Sequence, residues 1–165
     1  MYEIERNQKR LDEADGYSEI WKIVGDSVDV VLEKRRRGMM LFLDDMPPQI
    51  GAYHPLGTNN IVLNRVLVQG VSTLTTSMKH KNAFIYVLLL HEYLHALGYV
   101  TETRVRRLVY QIAQGFLGES HVAANLAKTG PWSLLRDVQL GFLGNPRLGI
   151  EVVRDFENPR SSYIA

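Results

Sequence analysis

The stretch Asn82-Ala-Phe-Ile-Tyr-Val-Leu-Leu-Leu-His-Glu-Tyr-Leu-His-Ala-Leu-Gly98 decides the fold of this 165-residue chain. It has almost no polar face, so it predicts a helix that is buried on most sides and ends at Gly98. Its longest apolar run has eight residues, from Ala83 to Leu90, whereas a membrane span needs about twenty. Residues 1–10 are too polar for a secretory signal. We therefore expect a core helix, no membrane partner and a soluble, cytoplasmic protein.

Two histidines and a glutamate in this helix carry the clearest chemical signal. His91 and His95 are four residues apart, which places them on one helical face, so their ring nitrogens can converge on one cation such as Zn²⁺. Glu92 lies about 100° around the helix from His91, so its carboxylate borders that face and can contact a water on the metal. The alternative is two core histidines and a surface glutamate. It is disfavoured because the residues around the motif are apolar on every side, so Glu92 would be buried, and a buried carboxylate without a compensating charge destabilises the fold.

Composition limits the other functional classes. Hydrophobic residues make up 45% and charged residues 22% of the chain, which excludes an intrinsically disordered protein. The chain contains no cysteine, so any metal must be bound by His, Asp or Glu. The net charge is +1, and this near-zero value argues against a nucleic-acid partner.

The rest of the chain predicts an α+β fold, a small mixed sheet packed on the histidine helix. We expect a domain over 1–145, with a helical C-terminal extension, and a tail over 146–165. Periodicity and turn signals predict further elements. These are helices over 17–37, 102–116, 121–128 and 132–142, strands over 39–43, 49–53 and 60–63, an ambiguous segment over 66–78, and an edge strand or loose tail over 148–163.

The motif His91-Glu92-x-x-His95 resembles the signature of zincin metallopeptidases. The segment 50–65 is similar to the strand segment before the active-site helix in short archaeal minimal gluzincins, soluble proteins related in fold to the catalytic domains of integral-membrane zinc proteases. The resemblance covers 39–116. It implies a zincin-like fold and zinc-dependent hydrolysis of peptide or protein substrates, with Glu92 as the general base.

The resemblance also guides the choice of a third metal ligand. Metzincins would place a His or Asp where Thr101 stands, whereas gluzincins use a Glu on the following helix. Glu102, Glu119 and His121 are the downstream possibilities. If a hairpin turns near 99–101, Glu102 lies beside the histidines, while Glu119 and His121 are roughly 25 Å away along the helix. We therefore predict His91, His95 and Glu102 as the metal ligands.

Several side chains have weaker signals. His54 could bind metal or substrate, although a turn histidine before proline is the simpler interpretation. Arg106 stands where the gluzincin pattern has an Asp, and we expect it, like Arg104 and Arg107, to need no partner beyond solvent and nearby carboxylates. The basic run 34–37 is expected to be a solvated helix end.

The sequence is also compatible with two rival functions. A non-catalytic zinc module would close the metal shell with a fourth protein ligand, such as His54 or His121. A DNA-associated regulator ranks lower because no helix-turn-helix is evident.

The apolar content of 132–142 must be buried against the core, over the substrate cleft or at a homodimer interface, and the tail segment 151–157 could add to a sheet edge.

Overall fold

The computed structural model describes residues 2–74, 77–131 and 149–157 of the chain, and these form a mixed α+β structure. The helices in this part of the chain are α1 (Tyr2–Asp12), α2 (Tyr17–Leu32), α3 (Arg65–Leu74), α4 (Met78–Ala96), α5 (Glu102–Leu117) and α6 (Val122–Thr129). The strands are β1 (Met40–Asp44), β2 (Ala52–Tyr53), β3 (Asn60–Asn64) and β4 (Glu151–Val152).

The four strands form one small mixed sheet in the order β2-β3-β1-β4. β1 and β3 pair in parallel, while the short outer strands pair antiparallel to their neighbours. Strand β3 is buried along Ile61–Asn64, as expected for a central strand covered on both faces. The prediction of a small mixed sheet is confirmed.

Helix α4 lies at the centre of the molecule. It packs against β2 and β3 and against each of the other five described helices. Twelve of its 19 residues are buried, including Tyr86 and Tyr93, so the expected core helix is confirmed. Within the described residues, none of the helices combines the length and the apolar character needed to cross a membrane.

The basic run after α2 differs from the prediction of a solvated helix end. Helix α2 stops at Leu32, and Glu33 adopts a left-handed conformation with φ 54°. Arg36 then reaches across the fold and donates to the carbonyl oxygens of Ala96 at 2.6 Å and Thr58 at 3.0 Å. A guanidinium on the last carbonyl of α4 satisfies that acceptor and complements the helix dipole. Arg36 is therefore a structural residue that binds the C-terminal end of α4.

The described part of the predicted tail packs on the sheet edge remote from β2. β4 pairs with β1, and the Phe156 ring stacks on Trp21 with 4.7 Å between ring centroids. The Glu157 carboxylate accepts from the backbone amides of Gly38 and Met39, each at 2.7 Å. The tail does add as an edge strand, but at β1 and not at β2. The helix expected over 132–142 lies outside the described residues.

Replacing Phe156 with Ala is expected to lower the free energy of unfolding by about 3 kcal/mol, because it removes a large, buried aromatic side chain. Phe156 is only 4% exposed. Urea unfolding monitored by circular dichroism would measure the loss. Val152→Ala, at a position 46% exposed, is the matched tail control and should change stability little. Equal stability of Phe156→Ala and the wild type would show that the tail is not part of the core.

Candidate metal centre

A tight turn between α4 and α5 builds the site. Gly98 has φ +107°, a conformation that glycine adopts without strain. Its amide donates to the His95 carbonyl at 3.0 Å, and the Tyr99 amide donates to the Leu94 carbonyl at 3.1 Å. Helix α5 begins at Glu102, so the expected hairpin is confirmed, and its first residue lies beside the histidine end of α4.

The turn brings three potential metal ligands together. The Nε2 atom of His91 lies 2.9 Å from Oε2 of Glu102, and Nε2 of His95 lies 2.7 Å from Oε1. One ligand atom from each residue falls within 4.8 Å of the other two. Two imidazole nitrogens and one carboxylate form a donor set that suits catalytic zinc and leaves a coordination position open.

The hydrogen bonds of His95 support a cation at this point. Its Nδ1 lies 2.8 Å from the carbonyl oxygen of Tyr99, which can only accept a hydrogen bond. The ring proton therefore belongs on Nδ1, and in the neutral ring the lone pair of Nε2 then faces the Glu102 carboxylate. Two lone pairs at that distance repel unless the imidazole is charged or a cation lies between them. The same Nδ1–carbonyl bond is the usual way of orienting a metal-ligating histidine.

The pKa shifts at the site also suit metal binding. Burial lowers the pKa of His91 despite the opposing charge of Glu102, which favours the neutral ring that a metal requires. Burial, the largest cause, raises the pKa of Glu102, but pairing of its carboxylate with His91 and His95, which requires protons on the ring nitrogens that face it, lowers the pKa overall. The Glu102 carboxylate is therefore held in its anionic form, and a bound metal would replace the protons that otherwise lie between it and the rings.

Glu92 lies next to this group as a buried carboxylate. It is 8% exposed, and within the described part of the chain it makes no hydrogen bond or ion pair. Burial, and then the charge of Glu102, raise its pKa to about 8. A nearby cation would compensate this carboxylate and favour its ionised form.

The structure separates the other possible ligands from this group. Glu119 is exposed in the loop beyond the far end of α5. His121 is the N-cap of α6, where its Nδ1 accepts from the Ala123 amide at 3.0 Å and its Nε2 lies 2.7 Å from Asp12. His54 lies in the turn between β2 and β3, with Nδ1 2.8 Å from the Asn60 carbonyl oxygen. Of the four possible third ligands, only Glu102 lies with the two histidines.

The site opens into a cleft of about 690 Å³, a volume typical of ligand sites. Its walls come from the loop before β2, from β2 itself, and from helices α4, α5 and α6. The side chains and backbone that line it include Gly51, Ala52, Val87, Leu88, His91, Glu92, Glu102, Arg106, Arg107, Tyr110, Lys128 and Pro131. Tyr110 thus lines the cleft, whereas the Tyr99 ring lies under the cations of Lys34 and Arg104.

The prediction missed the basic wall of this cleft. Arg106 and Arg107 were expected to face solvent without a role, but both line the cleft together with Lys128. The sequence spacing could have indicated that Arg106 lines the cleft, because Arg106 follows the predicted ligand Glu102 by four residues and therefore lies on the same face of the helix. Lys128 gave no such signal, since its place in the cleft depends on how α6 packs on α5.

Comparison with protein-family models, with curated proteins and with solved structures finds no match. The resemblance to minimal gluzincins therefore stays a prediction that rests on the residues of the motif and of the segment before it.

Proposed function

We propose that this chain is a zinc-dependent peptidase. The observation that carries the proposal is the convergence of His91, His95 and Glu102 beside a cleft that His91, Glu102 and the buried Glu92 line. The donor set fits zinc, which when bound supplies a Lewis acid that polarises the attacking water and the substrate carbonyl. The three ligands would hold the ion, and the Tyr99 carbonyl would orient the His95 ring.

Glu92 performs the proton transfers in this mechanism. Its carboxylate accepts a proton from the attacking water as the new carbon–oxygen bond forms at the peptide carbonyl. It then gives that proton to the nitrogen of the scissile bond, which leaves as an amine when the carbon–nitrogen bond breaks. The carboxylate lines the cleft beside Glu102 and His91, so it can contact a water and a substrate that enter there.

The peptide substrate is proposed to bind as an added strand along β2. In the described part of the chain β2 pairs with β3 alone, leaving its outer edge free. Ala52 and the preceding Gly51 line the cleft, so an added strand would pass the metal ligands. Backbone pairing of this kind tolerates varied sequences. A cytoplasmic peptide or protein is the substrate class proposed, and a homodimer remains a proposal for the assembly.

The rival proposal, a non-catalytic zinc module, requires a fourth protein ligand. The two residues predicted for that place, His54 and His121, are engaged in the β2–β3 turn and at the start of α6. The cleft beside the three donors instead offers space for a substrate. This arrangement favours the enzyme over the module.

Zinc removal and return provide the test. Protein stripped with a chelator should lose hydrolysis of an internally quenched peptide library, and about one equivalent of zinc should restore it. Elemental analysis measures the zinc and mass spectrometry identifies the cleaved bonds. X-ray absorption spectroscopy counts the protein ligands. A folded, zinc-loaded protein that cleaves nothing and shows four protein ligands would establish the module instead.

A further inference from the structure

The cleft beside the metal ligands has a cationic wall that the proposed mechanism does not use. Arg106, Arg107 and Lys128 line it, and all three side chains are exposed. Across residues 2–74, 77–131 and 149–157 the structure shows no ion pair to any of them. The net charge of the chain is only +1, so this is a local concentration of positive charge in a concave surface, where field lines are focused.

The position of these cations relative to the metal ligands is set by helix geometry. Arg106 lies one turn beyond Glu102 on α5, about 6 Å along the helix axis. Lys128 is in the last turn of α6, and α6 packs against α5. An extended peptide rises about 3.3 Å per residue. For a substrate that runs parallel to α5, a side chain at the level of Arg106 is therefore about two residues from the bond at the metal centre.

The acidic side chains of the cleft lie with the two histidines. Both carboxylate oxygens of Glu102 face the imidazoles of His91 and His95, and Glu92 is buried beside them. The cleft is thus divided between acidic side chains gathered at the histidines and basic side chains that lie one turn further along α5 and on α6. Guanidinium groups bind carboxylates in paired hydrogen bonds.

From this division we infer that the cleft selects peptides carrying a carboxylate about two residues from the scissile bond, bound by Arg106 and Arg107 with Lys128 adding positive charge. The inference rests on the proposed peptidase function, whose substrate class it narrows. An acidic side chain and a free C-terminal carboxylate share this chemistry. In wild-type kinetics the preference should be found in KM more than in kcat, because the contact is remote from the reacting atoms.

A binding experiment tests the inference without catalysis. Zinc-loaded Glu92→Gln protein is titrated, with fluorescence anisotropy as the readout, against three labelled peptides of matched length. The first peptide has capped termini and a Glu two residues before and two residues after the central bond. The second is also capped and has Gln at both of these positions. The third is the Gln peptide with a free C-terminal carboxylate. We expect the Glu peptide to bind about fivefold tighter than the capped Gln peptide at low salt. Raising the ionic strength should reduce the difference.

Two variants in the Glu92→Gln background identify the residues responsible. The double substitution Arg106→Gln with Arg107→Gln should abolish the preference for the Glu peptide. The control Arg6→Gln, an exposed arginine on α1, should keep it. A gain confined to the free-carboxylate peptide would identify the C-terminus as the source of the carboxylate. Equal binding of all three peptides, a preference that survives the double substitution, or equally strong competition by a short oligonucleotide would overturn the inference.

The outcome is separable from that of the proposed function. If wild-type, zinc-loaded protein cleaves none of the peptides but the preference and its loss in the double variant are observed, the peptidase proposal fails and the carboxylate site stands. If the wild type cleaves neutral and acidic peptides with the same KM, the peptidase proposal stands and the carboxylate site is wrong.

Discussion

Substituting Glu92 with Gln is expected to lower peptide hydrolysis by at least about 100-fold while leaving the zinc content at one per chain. The amide keeps nearly the same shape but cannot accept a proton, and general-base catalysis typically contributes 10²–10⁴-fold, roughly, to a rate. The three proposed ligands remain in place in this variant. Turnover of the best library peptide, measured together with elemental analysis of the same sample, gives both quantities.

The surroundings of Glu92 make this variant informative, because it should fold. The side chain is 8% exposed, and burial raises its pKa to about 8, so a neutral amide is at least as compatible with the site as the carboxylate. Glu119→Gln is the matched control, since Glu119 is exposed in the loop after α5 and should retain full activity. Loss of zinc together with activity in Glu92→Gln would make Glu92 a metal ligand and contradict its role as the base.

The helix hairpin and the motif were predictable because their signals are local. The apolar run of α4, the stop at Gly98 and the start of α5 at Glu102 are each written in a few neighbouring residues. Once the hairpin is accepted, the rise per residue of a helix brings Glu102 to the histidines and sends Glu119 away. Local strand and turn signals likewise predicted the bounds of β1 and β3 to within one residue at each end.

Features that depend on tertiary packing were missed. Helix α1 has a very polar sequence, and Leu11 is its one buried residue, so its periodicity gives little signal. Arg36 links two distant segments, because its guanidinium donates both to Ala96 at the end of α4 and to Thr58 in the turn before β3. His121 caps α6 through its ring, a role that Ser, Thr, Asp or Asn usually fill.

The parallel pairing of β1 with β3 also could not be predicted from the sequence. Residues 45–59, which join the two strands, contain only the two-residue strand β2. Parallel neighbours normally need a crossover of a dozen or more residues, and nothing in the composition of this segment distinguishes such a crossover from a simple hairpin. The direction of β3 therefore depends on tertiary packing, in which β3 lies between β2 and β1 and against α4.

The His95 side chain links the local turn to the proposed metal, which makes it the most sensitive position in the site. One ring nitrogen is held by the Tyr99 carbonyl and the other points at Glu102. Removing the ring therefore deletes a ligand and releases the turn contact that orients it. Two remaining donors, His91 and Glu102, hold zinc far more weakly than three.

His95→Ala is accordingly expected to contain less than about 0.1 zinc per chain and to show no rise in melting temperature when zinc is added. In the wild type a saturating metal that binds only the folded state stabilises it, by about 2.7 kcal/mol at 100 times the dissociation constant. Differential scanning fluorimetry and elemental analysis measure both effects. His54→Ala, which removes a turn histidine that is not part of the three-donor group, should keep its zinc and its zinc-induced stabilisation. Full zinc in His95→Ala, or its loss in His54→Ala, would place the metal elsewhere and overturn the assignment of the site.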